Sequence, residues 1–236
     1  MKIQAVCEYN CDGYLFYATD YPGAYVRGAQ KEEALAKFGG ELRSYQRWCD
    51  VPDPDPEAPE IEIVQTKLSA LQICDVDSDV LFDAERQALS QQEYERLKFL
   101  VLKSARDFRK LFTSIPNPDI SDRPSRQTFY GAVPRTPREM YEHTNRVTAY
   151  YLAPFGIEME NLPDIYSNRM QALSLLEELP TLLSGEVHMA EDGEEWTVRK
   201  AMRRFIWHDR IHAKAMWRTA TALWGSEIQN PFFFTD

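Results

Sequence analysis

Apolar positions along this chain change their period three times. Up to about residue 28 they come in short runs bounded by turn residues: Met1 to Tyr9, then Asn10-Cys11-Asp12-Gly13, then Tyr14 to Thr19, Tyr21-Pro22-Gly23, and Ala24 to Arg27. These runs predict three strands. From Gln30 to Cys49 the apolar residues Ala34, Leu35, Phe38, Leu42 and Tyr45 recur at three- and four-residue spacing, which predicts one helix, weakened by Gly39-Gly40. VPDPDPEAPE (51–60) reads as an extended connector, because proline removes backbone donors and its acidic residues repel one another. IEIVQTKL (61–68) returns to period two, with Ile61, Ile63 and Gln65 on one face.

Beyond residue 80 the period is helical. Gln91 to Ser114 carries an apolar stripe of Leu97, Leu100, Val101, Phe108, Leu111 and Phe112. The Pro-, Asp- and Ser-rich stretch from Pro116 to Pro134 reads as a long loop. Thr136-Pro137-Arg138-Glu139 has the form of a capping box, opening a helix that runs to Leu152. A further helix is predicted from Asp164 to Leu179 with Met170, Leu173 and Leu176 inward. A hairpin is predicted around Glu191-Asp192-Gly193. The last helix runs from Thr197 to Trp224, with Gly225 as its stop. The fold class that follows is α+β in two domains. A β-β-β-α-β unit (1–75) precedes an all-α four-helix bundle (80–230).

Composition narrows the function. The net charge of -10 argues against general nucleic-acid binding, which needs clustered Lys and Arg. No stretch approaches the ~20 apolar residues that cross a bilayer, and the N-terminus lacks the apolar core of a signal peptide, so a cytoplasmic location is expected. The four cysteines, Cys7, Cys11, Cys49 and Cys74, read as reduced thiols.

Three of the four histidines sit where a metal would want them. On the last helix Val198, Ala201, His212, Met216, Thr219 and Leu223 fall within about 40° of Phe205, and His208 lies about 60° aside. Arg199, Arg203, Arg210 and Lys214 point the other way. The i, i+4 pair His208 and His212 can converge on one ion. On the helix from Thr136, His143 shares a face with Met140, Val147 and Tyr150, while Tyr141 and Asn145 face away. His143 would supply a third nitrogen and leave positions open, a pattern of catalytic rather than closed structural sites. The bland alternative is three core histidines with separate hydrogen-bond partners. Asp209 is a candidate acceptor for an imidazole N–H, or else a partly exposed acid paired with an arginine. Tyr130 and Tyr150 are candidates to line the open side, and His188 reads as a surface residue of the hairpin. No general base is nominated.

DGYLFYATDYPGAYVRGAQKEEALAKFGGELRSYQRW (12–48) resembles the HicB-like antitoxin fold, and from that resemblance only the fold is carried over. TPREMYEHTNRVTAYYL (136–152) and GEEWTVRKAMRRFIWHDRIHAKAMWR (193–218) resemble the DinB-like, or YfiT-like, metal-binding four-helix bundles. That resemblance implies a metal triad of His143, His208 and His212 holding one divalent ion, with zinc or nickel the leading choices. It further implies a metal-dependent transferase or hydrolase that acts on a small molecule or with a low-molecular-weight thiol. A non-enzymatic scaffold, with the N-terminal unit binding a protein partner as an antitoxin does, is the alternative. A homodimer is compatible with either.

Overall fold

The computed structural model describes residues 2–52, 59–75, 77–128 and 131–235. Most of the expected connector at 51–60, namely 53–58, lies outside them. The N-terminal part is a four-stranded mixed sheet, built from β1 (Lys2–Asn10), β2 (Gly13–Ala18), β3 (Tyr25–Gly28) and β4 (Glu60–Leu68) in the order β3-β2-β1-β4. β1 runs antiparallel to β2 and parallel to β4. The parallel pair needs a crossover, and α1 (Lys31–Ala36) and α2 (Phe38–Trp48) lie within it. The single helix expected over 30–49 is thus interrupted at Lys37, just before the Gly39-Gly40 pair, where a change of helix path costs least. The remainder of the chain is largely helical: α3 (Gln91–Thr113), α4 (Pro137–Leu152), α5 (Ile165–Glu177) and α6 (Val198–Trp224). Two small antiparallel strand pairs interrupt it, β5 (Gln127–Thr128) with β6 (Gly131–Ala132), and β7 (His188–Met189) with β8 (Glu195–Trp196). The architecture is therefore α+β.

Helix ends fall where the capping chemistry puts them. Thr136 accepts from Glu139 N at 3.2 Å while the Glu139 carboxylate returns to Thr136 N at 3.0 Å, with Pro137 in the first turn. Thr197 caps α6 and Gly225 ends it with φ +68°. No helix of the described residues is long and apolar enough to cross a membrane.

Both faces of β1 and β2 are covered. On one face Phe16 meets Phe38 at 6.3 Å. On the other, Tyr17 packs against Phe82 at 5.4 Å and against Trp207 of α6 at 5.8 Å. From Val198 to Trp217 α6 therefore has no exposed residue, and the outward orientation expected for Arg203 and Arg210 is corrected. Both are buried. Arg203 donates to Glu85 Oε2 at 3.0 Å, and Arg210 donates to Glu41 Oε1 at 2.6 Å beneath the rings of Tyr45 and Trp48. Periodicity assigns charged residues to water by default. Here carboxylates from α2 and the 82–86 turn meet the guanidinium groups, whose stems pack as apolar surface. The Arg210–Glu41 pair and the packing of Tyr17 on Trp207 cross the boundary expected near residues 75–80, and one apolar cluster runs from Ile3 to Phe234.

The turn Tyr21-Pro22-Gly23 takes part in this junction. Gly23 has φ +90°, and a Cβ there would lie 2.6 Å from Ile206 Cγ2 on α6. Gly23→Ala combines left-handed backbone strain with overpacking. We expect it to destabilise the chain by about 2–4 kcal/mol in urea melts. A change below about 0.5 kcal/mol would mean that α6 does not press on this turn.

Candidate metal centre

His143 comes from α4, and His208 and His212 from α6. Tyr151 lies 5.3 Å from Phe205 while His143 lies 4.8 Å from His212, so the two helices run antiparallel at the site. Ring centroids are 5.1 Å apart for His143–His208 and 4.5 Å for His208–His212. One nitrogen from each ring lies within 4.8 Å of the others. Nitrogens about 2.1 Å from a tetrahedral ion would sit ~3.4 Å apart, so small rotations of the side chains would complete the shell.

Three observations fit a metal. The donor set is three imidazoles, which suits zinc or nickel. His208 Nδ1 is buried with no hydrogen-bond partner among the described residues, which counts against three separately satisfied core histidines. All three rings are held neutral, the form that binds metal. Burial and the neighbouring His143 push His212 down to about 3. Burial, the other two histidines, Arg204 and Arg169 hold His208 well below the usual imidazole value. Burial and Arg146 lower His143.

The electrostatics fix a pH dependence. Unfolded imidazoles titrate near pH 6.5. Folded values below that mean the unfolded chain takes up protons first as the medium is acidified, so stability is full above about pH 6.5 and falls below it. For His212 the window extends down to about pH 3. Glu8, raised by burial to about 7, works in the opposite sense, so a difference measurement is needed. Between pH 7 and pH 5 the metal-free protein should lose about 1–2 kcal/mol more stability than His212→Gln, allowing for the ring's partial exposure. Equal losses in parallel urea melts would refute the assignment.

The surrounding residues depart from the sequence reading. Asp209 is fully buried and accepts from Ser104 Oγ at 2.5 Å and from Arg169 Nη2 at 2.8 Å, rather than from an imidazole. Arg169 also donates to Thr148. One side chain from each of α3, α4, α5 and α6 thus meets in a polar network beside the histidines. Tyr150 is 49% exposed, with its hydroxyl 3.3 Å from Asp192, and the next residue, Tyr151, packs 6.1 Å from His208 instead. The buried face of α4 is Met140, Tyr141, Thr144, Asn145, Thr148 and Tyr151, so the outward placement of Tyr141 and Asn145 is corrected. Thr144 and Thr148 pass as core residues because their hydroxyls donate to backbone carbonyls of their own helix. Met170 is likewise 49% exposed, and the inward face of α5 includes Asn168 and Arg169. His188 is half-buried against Phe155 at 4.9 Å, outside the cluster. Tyr130 lies outside the described residues.

Comparison of the chain with protein-family models, with curated proteins and with solved structures finds no match.

Proposed function

We propose that this chain is a metal-dependent enzyme of the DinB-like class, with α3 to α6 as a four-helix bundle. One divalent ion, zinc or nickel, is held by His143, His208 and His212. The reaction is thiol transfer or hydrolysis on a small molecule in the cytoplasm. The N-terminal unit is HicB-like in fold. The observation that carries this reading is the convergence of three neutral imidazoles from two helices within 4.8 Å. A bound divalent ion supplies a thiolate or hydroxide near neutral pH without a strong protein base.

The chain's own residues do the positioning. The network of Ser104, Thr148, Arg169 and Asp209 holds the four helices at a set height, which fixes His208 and His212 against His143. Tyr151 and Phe205 wall off the inner side. His143 and His212 keep part of their surface in solvent, which favours a reactive site over a sealed structural one. The free thiols of Cys7, Cys11 and Cys49 suit a reducing compartment.

Calorimetric titration of the chelator-stripped protein should give about one zinc or nickel per chain. Failure to bind either ion would end the reading. A screen of the loaded protein for thiol transfer and ester hydrolysis would then separate the two reactions. Inertness in both, with the ion tightly held, would leave the scaffold alternative.

A further inference from the structure

Arg146 follows His143 by three residues on α4, which rotates it by ~60° and advances it by ~4.5 Å along the helix axis. On its far side it lines a cavity of about 370 Å³ between α4, the end of α3 and the 161–163 segment. That volume suits a small molecule. On its near side its charge reaches His143. One guanidinium therefore stands on the ridge between the histidines and the cavity.

The cavity has an apolar wall and a polar rim. Tyr141 stacks on Phe112 at 4.3 Å, and Leu162 adds to this wall. On the rim, Arg138 is tied to Asp119, and Asn145 donates to Leu162 O at 2.6 Å. Arg146 is exposed, and among the described residues no salt bridge engages it. In a chain of net charge -10, an uncommitted cation beside a cavity selects for anions. The nearby Glu142 carboxylate, also on the rim, disfavours a doubly charged phosphate. A carboxylate matches one planar guanidinium in charge and shape.

We propose that this cavity holds the unreactive part of the metal site's substrate. That substrate is a small molecule with a carboxylate gripped by Arg146 and an apolar body against Phe112, Tyr141 and Leu162. The inference rests on the metal-site reading above and deepens it.

The test uses the full-length protein loaded with cobalt(II), titrated with ω-mercaptocarboxylic acids of increasing chain length and with the matching mercapto-alcohols. The thiolate-to-cobalt absorption band reports binding. At the best length the acid should bind about tenfold more tightly than the alcohol. The preference should vanish in Arg146→Gln and return in part in Arg146→Lys, while cobalt affinity does not fall in either. Leu162→Trp, which fills the cavity at a partly exposed position, should remove the same preference. Equal binding of acid and alcohol at every length would overturn the inference, as would a preference that survives Arg146→Gln. Cobalt bound with no thiolate band from either series would overturn it too, leaving the metal site standing. Failure to bind cobalt would overturn the metal-site reading and this inference together.

Discussion

Replacing His212 by alanine is expected to weaken zinc binding by at least about a hundredfold, while His188→Ala leaves it within about twofold. Loss of a partner that merely orients a ligand already costs ~10–100-fold, and loss of the ligand itself removes a coordinate bond and admits water to the shell. His212 lies within 4.8 Å of both other rings, whereas His188 packs on Phe155 in the β7–β8 hairpin. Titration of each stripped variant with zinc against a competing chelator measures the ratio. Proton competition should set in well below the pH of about 6 that an ordinary imidazole would give, because burial and mutual repulsion depress these rings. Similar losses in the two variants would put the ion elsewhere, and the three histidines would then be ordinary core residues.

A fragment beginning at residue 80 is expected to lose its fixed tertiary structure, the second large effect. The sequence suggests the opposite, that the helical part folds semi-independently. Removing the first 79 residues takes from α6 the Tyr45 and Trp48 rings and the Glu41 carboxylate that cover Arg210, the Ser78 carbonyl that meets Arg204, and the Tyr17 and Tyr25 rings that cover Trp207, and so opens this face to water. Each large apolar side chain that loses its cover forfeits about 1.5–3 kcal/mol, against total stabilities of about 5–15 kcal/mol for a typical domain. Near-ultraviolet circular dichroism and size-exclusion chromatography would read the loss. In the full chain, Glu41→Ala should cost about 3–5 kcal/mol in urea melts, and Glu41→Gln less. A stable, compact fragment with a cooperative melt would show that the junction is not needed by the helices.

The contrast between the two expectations has a physical origin. Helix limits were legible because caps are local. Thr136, Pro137 and Glu139 announce α4, and Thr197 and Gly225 bracket α6, within a few residues of the features they control. The histidine cluster was legible for a similar reason, since the i, i+4 pair and His143 each lie on a periodic face. What could not be read depends on partners remote in sequence. Arg210 looks like a solvated charge until Glu41, 169 residues away, is placed beside it. Arg169 looks like a break in an apolar stripe until Asp209 and Thr148 close around it. Thr144 and Thr148 carry no apolar signal at all, yet they are fully buried.

The double cover on the sheet also bears on how the chain is made. The cluster that covers Leu15 and Tyr17 on β2 takes in Ile73, Val80 and Phe82 first and is completed by Trp207, about 190 residues after Tyr17 in synthesis. At ~5–20 residues per second, the sheet's second face waits ~10–40 s on the ribosome before the helix that completes it has emerged. During that interval the nascent sheet presents Val6, Leu15 and Tyr17 as an apolar surface that only Ile73, Val80 and Phe82 can cover. Chaperones that shield such surfaces during translation would have their longest task here at the beginning of the chain, and the last helix made would end it.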